Sequence, residues 1–345
     1  MPANRGAGAA LAAAVLFGVG TPVAKLLLGE TSPWLLAGLL YLGSGMGLLV
    51  LRVFRRSASS RLSLSGTGWL LGAIVSGGLI APVLLMWGLA TLPASGASLL
   101  LNAEGVFTVL IAWFVFRESF DVRIAIGVML IVAGAIVLSW PAGADTGSAL
   151  PALSVLGACL AWAIDNNLTR KVALADATLI AMAKGLVAGT VNVVLALAMG
   201  AFLPPPATLL AAGAIGFLSY GLSLVLFVIA LRYVGTARTG AYFSTAPFIG
   251  ALLAVALLDE PLTPQLVAAG ILMACGVWLH LTERHVHQHK HEALDHEHEH
   301  VHDVHHQHAH PHPVAPGTRH THPHHHDAMT HTHPHFPDAH HRHDH

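Results

Sequence analysis

Histidine is absent from the first 279 residues, and all 26 histidines of this 345-residue chain lie at or after His280. Charged residues are also scarce, at 10% of the chain, whereas hydrophobic residues make up 54%. A soluble globular protein needs more charge than this to cover its surface. The histidine-free part is therefore predicted to be a polytopic membrane protein, and the rest to be a polar tail.

Cysteine is nearly absent as well, since Cys159 and Cys275 are the only two and each lies in an apolar segment. This excludes a disulfide framework and a CxxC metal motif. No nucleophile–base pair, phosphate-binding loop or redox motif is recognisable. The sequence therefore predicts no enzyme, requires no cofactor and gives no reason to expect a nucleic-acid partner.

Apolar stretches of transmembrane length recur through the first 281 residues. A hydrocarbon core of about 30 Å needs roughly 20 helical residues at about 1.5 Å each. The predicted spans are 7–28, 33–53, 67–90, 93–116, 122–140, 150–170, 177–200, 208–231, 235–258 and 264–281. We therefore expect an all-α polytopic membrane protein with ten transmembrane helices.

Lysine and arginine are distributed unequally between the loops. The loops that follow the even-numbered spans, with their edges, hold nine such residues, from Arg52 to Arg232, whereas the loops after the odd-numbered spans hold none. Positively charged loops remain in the cytoplasm. The sequence thus predicts a protein of the cell membrane, inner or plasma, with both termini in the cytoplasm.

An internal repeat divides the chain into two halves. Residues 87–138 align with 229–280 without a gap, so that Glu118 matches Glu260 and Gly134 matches Gly276. Because each half has five helices, an odd number, the second half is expected to be inverted relative to the first. The predicted domains are 1–140 and 148–282 for the two repeats and 283–345 for the tail.

The two halves resemble the EamA-type transporters of the drug/metabolite transporter superfamily. Each half closes with a helix, a short acidic turn and a last helix, and the turns are Arg117-Glu118-Ser119-Phe120 and Asp259-Glu260-Pro261-Leu262. Phe17-Gly18 with Lys25, and Ser244 to Pro247, also resemble recurrent positions of that family. The resemblance covers about residues 7–281 and implies transport of small metabolites or drugs, often outward, by alternating access.

Two positions depart from the family pattern. Gly105 stands where the second half has Pro247, and Asp165-Asn166-Asn167 makes the sixth helix unusually polar.

Ionisable groups at membrane depth cost on the order of 2.5–3.5 kcal/mol each, so they usually face a cavity or a partner. Glu104 lies near the middle of the fourth predicted helix, two residues after Asn102. We expect Glu104 either to bind a cationic substrate or a transported proton, or to be satisfied by helix packing.

Asp165 and Lys184 lie at similar depth in the sixth and seventh predicted helices. They either neutralise each other, or Asp165 with Asn166 and Asn167 lines a cytoplasmic entry to a binding site.

Lys25 lies near the outer end of the first helix, where it either extends to water or contacts a substrate or an anion. The second interpretation is favoured by Thr21-Pro22, because proline frees backbone carbonyls. Pro247 is expected to open the ninth helix in the same way.

The tail lacks apolar periodicity and carries histidine at every second position. The predicted metal ligands are His285, His287, His289, His291, His296, His298, His300, His302, His320, His322 and His324. In an extended chain this period places imidazoles on one side, where they suit Zn, Ni, Co or Cu. The composition predicts a disordered tail.

Three functions remain open from the sequence. The first is an exporter of small metabolites or drugs with a metal-binding cytoplasmic tail, favoured because the membrane body carries the family resemblance. The second is a divalent transition-metal (Ni, Co or Zn) efflux transporter, and the third is a membrane-anchored metal buffer or sensor. The expected partners are the lipid bilayer, a small-molecule substrate and divalent metal ions at the tail, and a homodimer is compatible with the sequence.

Overall fold

The computed structural model describes residues 2–55, 64–116, 122–139, 149–170, 176–227, 229–230, 239, 242–281, 286–291, 294–300, 320–326 and 329–334. The chain divides into two compact units, residues 1–283 and 284–345. The first unit is a helical bundle and the second contains short strands.

Twelve α-helices and two π-helices of seven residues or more form the described part of the bundle. They are α1 (Pro2–Leu27), α2 (Pro33–Arg55), α3 (Leu64–Ala73), π1 (Ile74–Ile80), α4 (Ala81–Thr91), α5 (Ala94–Leu100), α6 (Ala103–Phe116), α7 (Val122–Ser139), α8 (Ala149–Arg170), α9 (Ala177–Ala198), α10 (Pro206–Ile215), π2 (Gly216–Leu222), α11 (Ala246–Leu258) and α12 (Pro264–Leu281). Residues 223–227 continue helically after π2.

Eight spans in the described residues are long and apolar enough to cross a membrane, from Gly6–Leu27 to Pro206–Phe227. Two shorter apolar helices, Ala246–Leu258 and Pro264–Leu279, lie within the ninth and tenth predicted spans. The expected helical, multi-pass body is therefore confirmed, while the count of ten stays a prediction, because part of the ninth predicted span lies outside the described residues.

Glycine allows the helices of the two halves to approach closely. A Cβ atom on Gly45 of α2 would lie 2.4 Å from the backbone N of Leu186 in α9, and one on Gly43 would lie 2.5 Å from the carbonyl O of Gly213 in α10. Small residues permit such contacts between helix backbones in membranes. The second helix of the first half is thereby held between two helices of the second half.

The two halves have matching irregularities. The segment π1 begins at Ile74 and π2 at Gly216, so they are separated by the same 142 positions as the sequence repeat. They also exchange partners, because π1 packs against α8 and α9, whereas π2 packs against α1 and α2. Each π segment thus contacts the first two helices of the opposite half.

The described residues of the tail form four strands, which differ from the predicted disorder. They are β1 (Val286–His291), β2 (Leu294–His300), β3 (His320–His326) and β4 (Met329–Pro334). Antiparallel pairing joins β1 to β4 and β2 to β3. The alternating sequence has the period of a strand, which explains why it takes an extended, paired conformation.

Candidate functional site

An interruption in the fourth predicted span places Glu104 at a helix start. The helix α5 ends at Leu100, residues 101–102 form a turn, and α6 begins at Ala103 with Glu104 in its first turn. A carboxylate is favoured there, because free backbone N–H groups and the helix dipole make this end electropositive. Glu104 Oε1 accepts a hydrogen bond of 2.8 Å from Asn166 Nδ2 in α8.

The Glu104–Asn166 pair is partly exposed. Asn166 is exposed, Glu104 is half-buried, and a Cβ atom on the adjacent Gly105 would meet no atom within 4 Å. A carboxylate and an amide at membrane depth do not face hydrocarbon without a large cost. The pair is therefore suited to facing water or a polar substrate.

Asp165 has a different environment, one residue before Asn166. It is 5% exposed, and its two carboxylate oxygens lie 2.5 and 2.6 Å from Lys184 Nζ. Thr169 Oγ1 donates a further hydrogen bond of 2.8 Å to Asp165 Oδ1. Of the two expectations for Asp165 and Lys184, the geometry shows mutual neutralisation.

Two other predicted asparagines are buried and bind backbone carbonyls. Asn102 Nδ2 donates to Leu99 O at 2.9 Å, and Asn167 Nδ2 donates to Ala163 O at 2.8 Å. Asn166 is thus the member of this group whose amide reaches another polar side chain, Glu104.

Pro247 lies just after an interruption of the ninth predicted span, which is where the sequence predicts that this helix opens. It lies in the first turn of α11, where the missing N–H of proline costs nothing. The interruption precedes it, at the turn of Ser244 and Thr245. The position of this turn matches that of the Leu101–Asn102 turn in the first half to within one residue. The fourth helix of each half is therefore interrupted near the same depth.

Aromatic rings connect the two π segments. Tyr41 Oη and Trp162 Nε1 both donate to the carbonyl O of Gly77 in π1, at 2.7 and 3.0 Å. The ring of Tyr41 lies 5.6 Å from that of Tyr220 in π2, and Phe17 lies 5.9 Å from Tyr220. Rings from both halves therefore lie in contact between the π segments.

Lys25 does not match either sequence expectation. Its ammonium donates to three backbone carbonyls, those of Leu89, Ala90 and Leu92, at 2.6, 3.2 and 2.8 Å. This side chain is thus engaged at the end of α4.

At the end of the bundle where α2 ends and α9 begins, Arg52 Nη1 lies 2.7 Å from Asp176 Oδ2. Asp176 also caps α9 by accepting from the Thr178 N–H. Burial opposes ionisation of Asp176, but Arg52 and the Thr178 N–H outweigh it and hold the pKa of this carboxyl below 3.8, its ordinary value. No pattern in the sequence indicates this pair beyond the charges themselves.

Comparison with known proteins accounts for the duplicated architecture. The model of the EamA-like transporter family matches residues 4–140 and again 149–282. The chain belongs to the EamA-like transporter family. It is a multi-pass membrane transporter.

Relatives of this EamA-like transporter carry general names. An uncharacterized transporter of Methanothermobacter thermautotrophicus is 28% identical over 292 residues, which cover 78% of this chain and 84% of the relative. The uncharacterized transporter YvbV of Bacillus subtilis is 26% identical over 283 residues, covering 78% and 89%. A crystal structure of a protein 20% identical to this chain has the same fold, with a TM-score of 0.60 over 79% of this chain and 95% of that one.

Metal binding by this transporter requires several polar side chains that lie together. Within the part of the chain that the structure describes, no group of three or more His, Cys, Asp or Glu side chains is arranged to hold a metal ion. Of the predicted tail ligands, His285 and His302 lie outside the described residues, and the other nine lie in β1, β2 and β3.

Proposed function

We propose that this protein exports small metabolites or drugs by alternating access, with Glu104 and Asn166 on the substrate path. The observation that carries the proposal is the accessible carboxylate–amide pair beside a helix interruption. Transporters place substrates at interrupted helices near the middle of the membrane, where helix ends offer free polar groups.

Glu104 is the group suited to a cationic substrate or a transported proton. Its hydrogen-bond partner is the neutral amide of Asn166, so its negative charge has no bonded cation. Asp165, by contrast, is neutralised by Lys184. A carboxylate whose bonded partner in the described residues is an amide can take up either a proton or a cationic substrate, and each neutralises its charge.

The proposed orientation in the membrane rests on the loop charges. We place both termini in the cytoplasm of a cell-membrane protein, because the arginines are concentrated at the end of the bundle that contains Arg52. In the proposed export cycle, opening of the Glu104 region toward that end loads a substrate from the cytoplasm.

The tail is proposed to be a cytoplasmic metal-binding appendage. The register of β2 and β3 sets His296, His298 and His300 opposite His324, His322 and His320. Residues opposite each other in an antiparallel pair are neighbours on one face, and histidine is the commonest ligand for Zn, Ni, Co and Cu. This register also supports the second candidate, export of Ni, Co or Zn, with the tail collecting the ion.

One experiment separates these functions. A strain that lacks the gene is challenged with amines, amino acids, drugs, Ni, Co and Zn, after restoration of the full chain or a chain truncated after Glu283. We expect protection against an organic compound by both versions and loss of metal binding on truncation, because residues 1–283 form a compact unit by themselves. Protection against one metal that disappears on truncation would favour metal export, and failure of the truncated chain to insert would contradict a separate tail.

A further inference from the structure

The turn between α4 and α5 is held from two sides. It comprises Leu92 and Pro93, and it joins the carbonyl end of α4 to the amide end of α5, which begins at Ala94. Lys25 Nζ donates hydrogen bonds to the carbonyls on one side, including that of Leu92 at 2.8 Å. Glu260 accepts hydrogen bonds from the amides on the other side, with Oε1 2.6 Å from Ala94 N and Oε2 2.9 Å from Ser95 N.

The charges match the backbone groups that they bind. Free carbonyls at the end of a helix attract a cation, and free N–H groups at the start of a helix attract an anion. Lys25 and Glu260 also attract each other across the turn. One short turn is thereby bound by two opposite charges.

The conformation of the preceding residue directs Glu260 toward the turn. Asp259 ends α11 in the left-handed region, with φ of 52°, which aspartate tolerates better than most residues. Thr263 Oγ1 then caps α12 by accepting from Leu266 N at 3.1 Å. Glu260 is therefore held on a short connection that is fixed at both ends.

The Glu260 contacts join the two halves at one end of the bundle. Lys25 belongs to the first helix of the first half, and Glu260 to the connection between α11 and α12 in the second half. Both bind the same turn, whereas the Glu104–Asn166 pair at mid-depth is accessible. One end is thus tied while the central polar pair is partly exposed.

We propose that Lys25 and Glu260 form a latch on the turn 92–93 and the start of α5, which keeps this end closed while the Glu104 region faces the opposite end. The latch must release in each transport cycle, and this inference rests on the proposed alternating access. Lys25 is accordingly a gating residue that binds backbone and not substrate. The sequence could not show this, because backbone carbonyls and amides leave no residue pattern.

Two cysteine reporters test the latch in the full chain. In a background of Cys159→Ala and Cys275→Ala, one reporter is Ser95→Cys, because Ser95 is 3% exposed and Glu260 binds its backbone rather than its side chain. The other is Gly105→Cys, because a Cβ atom there would meet nothing within 4 Å. A membrane-impermeant maleimide is offered to each face separately, in intact cells and in inverted vesicles.

The test variants are Lys25→Gln and Glu260→Gln, and Asp259→Asn is the matched control. The control removes the same charge one residue away and keeps a side chain that tolerates positive φ. With the latch intact, we expect slow labelling at position 95 and fast labelling at position 105 from the opposite face. Each test variant should speed labelling at 95 and slow labelling at 105 from its original face, by about fivefold or more, whereas the control should match the parent.

The reciprocal change separates gating from loose packing. Faster labelling at both positions would show that the contacts only stabilise the fold and would overturn the latch. Unchanged labelling at both positions would overturn it as well. Either result leaves the proposed substrate path standing if Glu104→Gln still abolishes transport, so the two proposals fail independently.

Discussion

At the scale of single residues, Asp165 shows how a buried charge is tolerated. Its carboxylate accepts hydrogen bonds from Lys184 and Thr169. It also packs so closely on π1 that a Cβ atom on Gly77 would overlap with the Asp165 side chain. Position 77 therefore has to be glycine while Asp165 is present. The corresponding site of the second half has the opposite arrangement, with Ser219 in π2 against Gly20 in α1.

Replacement of Lys184 by Met should destabilise the protein strongly. It leaves the Asp165 carboxylate buried without its cation, a loss of about 3–5 kcal/mol in comparable buried pairs. The double variant Asp165→Asn/Lys184→Met should recover most of the stability. Thermal unfolding of the purified protein in detergent measures both. Equal melting temperatures for the parent and Lys184→Met would show that the pair is not a structural necessity.

The Arg52–Asp176 pair should stabilise the protein in a pH-dependent way. Since the pKa of Asp176 is lowered on folding, its contribution is complete above 3.8, the ordinary value, and is lost as the pH falls through the lower folded value. The melting temperature of Asp176→Asn should therefore lie below that of the parent at pH 7, and the difference should shrink below about pH 4. A difference that stays constant from pH 7 to pH 3 would exclude this origin.

Residue chemistry made some contacts predictable and left others hidden. Asp165 and Lys184 could be paired from the sequence, because opposite charges at similar depth seek each other in a membrane. The hydrogen bond from Asn166 to Glu104 depends on how α8 is rotated against α6, and sequence spacing does not determine that rotation. Lys25 was misjudged because its partners are carbonyl groups of a distant turn.

At the scale of elements, the apolar runs were sufficient to predict the helices but not their irregularities. The interruption at residues 101–102 contains neither proline nor glycine, so no breaker marks it. The π segments contain glycines, among them Gly77, Gly78 and Gly216. Glycine also occurs inside ordinary helices of this chain, so it does not mark a π segment. Recurrence after 142 positions is the signal that could have revealed them, because both halves keep the same irregularity.

Close packing of α2 on α9 should depend on glycine at specific positions. In Gly45→Ala the new methyl group would lie 2.4 Å from Leu186 N, an overpacking that costs about 1–3 kcal/mol. Gly68→Ala is the control, because a Cβ atom there meets nothing within 4 Å and alanine favours helix by about 1 kcal/mol. Thermal unfolding should show a lower melting temperature for the first variant alone. Equal effects would contradict the packing argument.

At the scale of the whole molecule, two equivalent halves exchange partners around π1 and π2. In the first unit, α1 packs on α11 just as α8 packs on α6, and α7 packs on α12. The repeat and the family resemblance anticipated this duplication, and the matched residues 4–140 and 149–282 show it. Substrate choice was beyond the sequence, because it depends on which polar groups face the path after the halves assemble.

The central claim is that Glu104 lies on the transport path, and substrate uptake into inverted membrane vesicles tests it most directly. The compound that the growth panel identifies is supplied to vesicles with the parent protein, Glu104→Gln, or Asp259→Asn as the control. Glutamine keeps an acceptor for Asn166 but can neither bind a proton nor neutralise a cation. The rate of substrate uptake by the Glu104→Gln protein should therefore fall at least about tenfold at equal protein content. Uptake by Glu104→Gln at the parent rate would contradict the claim.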